Sequence, residues 1–191
     1  KELQNKLSTE LDRDGLGPNV TITVDSHLTK VMRLIQIASN PLLLGGGNSS
    51  GKWEQLPSLM KIYEPPYLFW TTYKITNEEI TKKLSLMGLN VVSMSGSTPV
   101  SDRQSIVDTF QANKLDAIVL NQSVGSFGLT LTKAKTSLYL ERNFDGNFFQ
   151  SLHRVRRIGS LHSVNVLFLK SVFANGKPTI DHLVHNMLDY R

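Results

Sequence analysis

Cysteine is absent from the 191 residues, which excludes a disulfide framework and any thiolate-held zinc or iron–sulfur centre. The fold must stand on packing alone, and a 40% hydrophobic content over this length is enough for one compact core. Long apolar runs are missing too. No stretch approaches the roughly 18 residues of a membrane span, and Lys1 to Glu10 are polar and unlike a signal peptide. The expectation is an intracellular protein with no membrane partner. Charge of one sign is in modest excess, 21 Lys and Arg against 16 Asp and Glu for a net +5. An acidic polymer such as nucleic acid is a reasonable partner, though +5 does not decide it. Internal repeats and low-complexity tracts are lacking as well.

Residues 1–26 are polar and broken by the turn-forming Asp14-Gly15-Leu16-Gly17-Pro18, so they are expected outside the core. From Leu28, the apolar positions Val31, Leu34, Ile35 and Ala38 predict a helix that Asn40-Pro41 ends. Gly45 to Gly51 reads as a flexible loop, and a boundary is expected here between an extension, 1–50, and the main domain, 51–191. Beyond it, short apolar runs alternate with amphipathic segments, the pattern of a parallel sheet covered by helices. Strands are expected at 67–71, 90–94, 116–120, 137–140 and 164–169. Thr76 to Glu79 and Ser101 to Gln104 have the form of capping boxes, so each predicts a helix start, with Ser101 assigned to capping. Gly88 and Gly159 stand where helices would end. Pro178 can open a last helix that turns Ile180, Leu183, Val184 and Met187 inward.

The chemistry-bearing feature is Gln150-Ser151-Leu152-His153-Arg154-Val155-Arg156-Arg157-Ile158-Gly159. At about 100° per residue, Gln150, Arg154 and Arg157 fall within about 60° of one another on a helix. Guanidinium forks donate paired hydrogen bonds to phosphoryl oxygens, so such a face suits phosphoryl transfer. Arg-x-x-Arg by itself is usually a solvated basic face. The run Ser123 to Thr132, holding Gly125 and Gly128 after an apolar strand, lets backbone approach a ligand closely, although alone it too reads as structural.

Taken in order, six segments resemble the second RecA-like lobe of Swi/Snf-type ATPases, in helicase superfamily two. Leu34-Ile35-Gln36-Ile37-Ala38-Ser39-Asn40-Pro41 is similar to that family's leucine-arginine-glutamine-isoleucine helix ending in proline, and Ser50-Gly51-Lys52 to its serine-glycine-lysine start. Tyr67 to Thr71 takes the place of motif IV. Ser95-Gly96-Ser97-Thr98-Pro99, followed by Asp102-Arg103-Gln104 and Phe110, resembles the glycine-serine-threonine segment and its helix. Gly128 to Ala134 resembles motif V, and Gln150, Arg154, Arg157, Ile158 and Gly159 resemble motif VI. The chain departs at Asn121-Gln122-Ser123-Val124-Gly125-Ser126, at Asn143-Phe144-Asp145, at His153 and at Ser160, marking a divergent member.

The resemblance implies an α/β, RecA-like parallel sheet with a short helical N-terminal extension. It implies a DNA-dependent ATPase, active only with a first RecA-like lobe that holds most of the ATP and Mg2+. It assigns catalysis to Arg154, Arg157 and Gln150, nucleotide contact to Gly128 and Gly125, and sequence-independent contact with duplex DNA to Thr71, Thr72, Ser95, Gly96, Ser97, Arg103, Asn121 and Gln122. The rival expectations are a non-catalytic nucleic-acid-binding or interaction module on the same fold, and a DEAD-box-like RNA helicase lobe.

Two competing motifs are set aside. Gly46-Gly47-Asn48-Ser49-Ser50-Gly51-Lys52 fits seven positions of a phosphate-binding loop, but Trp53 stands where a hydroxyl should meet magnesium. No acidic strand end of the usual kind follows, unless Leu140-Glu141 takes that part. His182 and His185, three apart, have no carboxylate companion besides Asp181 and are expected on a solvated helix face, so no metal site is expected. Phe69 and Trp70 are expected in the core, not stacked on bases.

Overall fold

The computed structural model describes residues 27–47, 50–126, 128–142, 147–155 and 163–189. The expectations for 1–26 and for Gly159 lie outside these residues.

Five short strands, β1 (Tyr67–Thr71), β2 (Val91–Met94), β3 (Ala117–Asn121), β4 (Thr136–Tyr139) and β5 (Asn165–Phe168), form one parallel sheet in the order β2-β3-β1-β4-β5. Every expected strand is present, displaced by at most one residue at either end. The helices are α1 (His27–Ser39), α2 (Gly51–Glu54), α3 (Leu56–Ile62), α4 (Lys74–Leu86), α5 (Val100–Gln111), α6 (Asn147–Val155) and α7 (Ile180–Asp189). Because successive strand residues point to opposite faces, β1 feeds two cores. Tyr67 and Phe69 join Ala117, Val119 and Leu138 beneath Trp53, Leu56, Ile80 and Leu84 of α2, α3 and α4. Leu68 and Trp70 join Ile118, Leu120 and Tyr139 beneath Val107 and Phe110 of α5 and Phe148 and Val155 of α6. Burial on both faces is why the central strands read as continuous apolar runs. Phe69 and Trp70 are fully buried, as expected.

The helix starts differ from the sequence reading. Helix α4 begins at Lys74, with Tyr73 at its N-cap and no side-chain capping bond, so Thr76 lies within the first turn. Tertiary partners have taken the capping side chains: Asn40 Nδ2 donates to Thr76 Oγ1 at 3.3 Å, and Asn77 Nδ2 to the Val119 carbonyl at 3.2 Å. Helix α5 begins at Val100 behind Pro99, and Ser101, far from capping it, donates to Asp102 Oδ1 at 2.9 Å. Pro178 pairs with Val172 in an isolated bridge, and α7 starts two residues later.

Helix α7 is also rotated from the expected face. Leu183 and Met187 are each 53% exposed, whereas Val184 is buried. Asp181 and His185 share its inward side, Asp181 in an ion pair with Lys52 and His185 packed 4.9 Å from the Phe168 ring. Two polar anchors one turn apart fix the rotation, and His185 is thereby a packed residue instead of a solvated one.

The chain leaves β1 toward β3 and β2 but leaves β4 toward β5. Connections running opposite ways from adjacent strands create a switch point, where parallel α/β sheets leave a crevice at the C-terminal strand ends.

Candidate functional site

The residues expected to meet DNA lie along one edge. Ser95 follows β2, Asn121 closes β3 with Gln122 after it, and Thr71 closes β1 with Thr72 after it. Neighbouring strands stand about 4.8 Å apart, so the three positions extend across about 10 Å. Their availability differs. Gly96 and Ser97 are exposed, with Ser95 Oγ and Ser97 Oγ 2.8 Å apart. Thr71 is buried, its hydroxyl 3.4 Å from the Leu120 carbonyl. Asn121 Nδ2 donates to the Thr72 carbonyl at 2.8 Å while its Oδ1 accepts from Ser123 N at 3.1 Å, tying the ends of β1 and β3 together. Arg103 is only 6% exposed, and its Nε and Nη2 donate to the carbonyls of Thr98 and Gly96 at 2.9 and 3.2 Å. Its guanidinium shapes the Gly96–Thr98 turn from behind. Thr72 Oγ1 and Gln122 Oε1 are buried with no hydrogen-bond partner among the described residues. Such atoms cost roughly 1–3 kcal/mol each while unmatched, which a water or bound group would relieve.

At the switch point itself sits a buried polar cluster. The Glu141 carboxylate, two residues beyond β4, accepts from Ser39 Oγ at the end of α1 and, at 2.6 Å, from the Thr72 backbone N–H beyond β1. Its own carbonyl accepts from Gln122 Nε2 at 2.7 Å. Lys52 Nζ, almost wholly enclosed, donates to the Leu140 carbonyl and pairs with Asp181, both at 2.7 Å. Asp181 Oδ2 also accepts from Ser171 N at 2.9 Å, which fixes the start of α7. Burial raises the Glu141 pKa above its usual value, opposed by the Ser39 bond and by the charge of Lys52. Burial likewise pushes the Tyr73 phenol up to about 12, helped by the charges of Glu141 and Asp181.

Helix α6 carries the expected catalytic face. Phe148, Ser151 and Val155 are buried, while Gln150 is exposed and Arg154 half-buried on the opposite side. Two bonds set this orientation. The Tyr139 hydroxyl lies 2.8 Å from Ser151 Oγ, which in turn donates to the Phe148 carbonyl at 2.6 Å. The Leu131 N–H donates to the Arg154 carbonyl at 3.2 Å, joining the glycine-containing segment to the helix. Arg142 stacks 4.3 Å over the Phe148 ring and so braces the same helix. Gly128 adopts φ +64°, and a Cβ there would meet nothing within 4 Å, so this glycine answers a backbone requirement and not a lack of space. Gly125 lies in the 3-10 turn Gln122–Ser126, which packs against α6. Arg157 lies outside the described residues.

The chain thus gathers Gln150, Arg154, Gly125 and Gly128 around α6 and sets Thr71, Thr72, Ser95, Gly96, Ser97, Asn121 and Gln122 along the strand ends. Sequence reasoning missed Glu141, Lys52, Tyr139 and Ser151 as organisers. The one available signal was an acidic residue closing the apolar run Leu138-Tyr139-Leu140. The phosphate-loop reading of Lys52 is excluded by its ammonium being committed to Leu140 and Asp181.

A family model for the helicase conserved C-terminal domain matches residues 51–162. A SWI/SNF-related matrix-associated actin-dependent regulator of chromatin subfamily A-like protein 1 from Xenopus tropicalis is 28% identical over 61% of this chain and 12% of its own length. Protein CHROMATIN REMODELING 19 of Arabidopsis thaliana is 31% identical over 70% of this chain and 17% of its own length. The chain therefore spans under a fifth of these relatives. Among solved structures, the C-terminal part of the Fun30 ATPase domain aligns with a TM-score of 0.65 at 22% identity, covering 95% of this chain and 64% of that one. The Sulfolobus solfataricus SWI2/SNF2 ATPase core in complex with dsDNA aligns with 0.69 at 23% identity, covering 98% and 39%. At such identities the structures establish the fold.

Proposed function

The chain belongs to the helicase conserved C-terminal domain family, as the C-terminal RecA-like lobe of a Swi/Snf-type ATPase, and on that premise we propose that it is the second motor lobe of an ATP-dependent translocase on double-stranded DNA. The observation that carries the proposal is α6 itself, which sets the exposed Gln150 and the half-buried Arg154 one turn apart and is tied to the segment after Gly128 by the backbone bond from Leu131 N–H to the Arg154 carbonyl.

In this reading Arg154 and Arg157 donate hydrogen bonds to phosphoryl oxygens as charge spreads over them, Gln150 orients those donors, and Gly128 with Gly125 admits close backbone approach. ATP with Mg2+, when bound between the lobes, supplies the free energy of phosphoryl transfer. The Lys52 ammonium is buried and turned to the Leu140 carbonyl and Asp181, so the first RecA-like lobe is assigned the principal contacts to both. The strand-end edge holds duplex DNA through hydroxyls, amides and backbone N–H groups, contacts that position a backbone without reading sequence. Closing and opening of the cleft then shifts one DNA grip against the other, which yields stepping without necessarily separating strands.

In the protein carrying both lobes, Arg157→Ala is expected to lower DNA-stimulated ATP hydrolysis by about a thousandfold or more while nucleotide affinity stays at the wild-type value. Steady-state hydrolysis and equilibrium nucleotide binding test this. Wild-type turnover in the variant refutes the finger role, and DNA binding without any ATPase in the wild type favours the non-catalytic module.

A further inference from the structure

The crevice where a parallel sheet of this topology offers room for a ligand is here filled by the chain's own groups. Glu141 bridges it, accepting from Thr72 N–H on the β1 side at 2.6 Å while it lies two residues beyond β4. One residue earlier, the Leu140 carbonyl is capped by the Lys52 ammonium at 2.7 Å. The same carboxylate accepts from Ser39 Oγ, 102 residues away in sequence and the last residue of α1. Ser39 is doubly held, since its carbonyl accepts from Ser50 Oγ at 3.1 Å, and the neighbouring Ala38 carbonyl accepts from Ser171 Oγ at 2.8 Å. The Glu141 carboxylate is held by hydrogen bonds from Ser39, Thr72 and Thr76 and by the charge of Lys52.

From Thr72 the ties continue along the edge. Its carbonyl accepts from Asn121 Nδ2 at 2.8 Å, and Gln122 Nε2 reaches back to the Glu141 carbonyl at 2.7 Å. A closed path therefore runs from Glu141 through Thr72 and Asn121 to Gln122 and back to Glu141. Three of its four members are residues assigned to DNA contact, and the fourth is buried, at 3% exposure. None of the four rests on an exposed flexible side chain.

We propose that Glu141 is a positioning residue for the DNA-facing edge, and that through Ser39 it makes the setting of that edge depend on the placement of α1. The inference rests on the proposed DNA role of the edge. Because α1 immediately precedes the lobe, its displacement would pull on a carboxylate that also holds the β1 loop. Arg154 on α6 is held by other bonds, Tyr139 to Ser151 and the Leu131 N–H to the Arg154 carbonyl, and the helix meets this path where the Gln122–Ser126 turn packs against it.

The test uses the protein carrying both lobes and reads ATPase against duplex concentration. Glu141→Ala is expected to raise the DNA concentration for half-maximal stimulation by about tenfold, leaving the rate at saturating DNA within about twofold of wild type. Glu141→Gln keeps an oxygen for Thr72 N–H and can donate to the Ser39 hydroxyl, so it should restore half-saturation to near the wild-type value. Ser39→Ala removes only the link to α1. Amide exchange by mass spectrometry should then quicken in peptides covering 71–73 and 121–123, and half-saturation should rise in parallel. Unchanged half-saturation in a folded Glu141→Ala protein, or equal impairment by Ala and Gln, overturns the proposal. Should Glu141→Ala not fold, Ser39→Ala decides: unchanged exchange and half-saturation overturn it. A wild-type protein with no DNA stimulation sinks the underlying DNA reading as well, whereas normal stimulation with indifferent variants sinks this inference alone.

Discussion

Arg103 shows how a residue can be matched to a motif and yet act indirectly. An exposed arginine at a phosphate would be released by salt with its counterion, whereas this one is buried and spends Nε and Nη2 on the carbonyls of Thr98 and Gly96. Its effect on DNA is therefore expected through the turn that carries Ser95 and Ser97. Arg103→Ala should weaken duplex binding while leaving the dependence of log affinity on log salt unchanged, since loss of a direct phosphate contact reduces that slope by about 1. Titrations of wild type and variant at several salt concentrations distinguish the two. Lys52 is the complementary case: its letters fit a phosphate loop, and although Trp53 in place of a hydroxyl and the lack of the usual acidic strand end argued against that loop, neither told that the lysine points into the core. Burial of an ammonium beside Asp181 cannot be read from a glycine-rich run, because both partners are distant in sequence.

At the level of elements, strands and the helix ends at Asn40-Pro41 and Gly88 were legible and helix starts were not. Central parallel strands are buried on both faces and so leave uninterrupted apolar runs, as Tyr67 to Trp70 and Ala117 to Leu120 do. A helix start instead depends on which partner a short polar side chain finds, and Thr76 and Asn77 found Asn40, Val119 and Ser93. The candidate site divides the same way. Spacing put Gln150 and Arg154 on one helical face, which α6 bears out locally, but its anchor is the Tyr139–Ser151 bond, invisible without the fold. Burial holds the Tyr139 phenol far above its usual pKa, so the hydroxyl stays a donor at any working pH. Tyr139→Phe deletes that donor and leaves Ser151 bonded to Phe148. It should lower stability by about 0.5–1.5 kcal/mol, measured by denaturant unfolding. In the protein carrying both lobes it should also reduce the rate at saturating DNA without moving half-saturation, the reverse of the pattern expected for Glu141→Ala.

For the whole molecule, the proposed roles put the two sets of residues in different half-sites. Arg154 and its neighbours have phosphate chemistry to offer but, with Lys52 internally committed, no evident cradle among the described residues to bring phosphate to them. The isolated 191-residue chain is therefore expected to hydrolyse ATP negligibly, with or without DNA. The strand-end edge proposed for DNA, by contrast, is formed within this chain. An edge about 10 Å across faces about three phosphates of one strand at 3.4 Å each, and at about 0.9 per phosphate contact the log–log salt slope is near −2.7. Raising salt from about 50 to 200 mM should then cost roughly 40-fold in affinity. Two duplexes of unrelated sequence should bind alike, because the contacts are to backbone. Fluorescence titration of both duplexes at four salt concentrations, beside an ATPase assay of the same preparation, measures all of this. Sustained turnover by the isolated chain would defeat the division into half-sites, and a slope near zero would remove the strand-end edge as a phosphate grip.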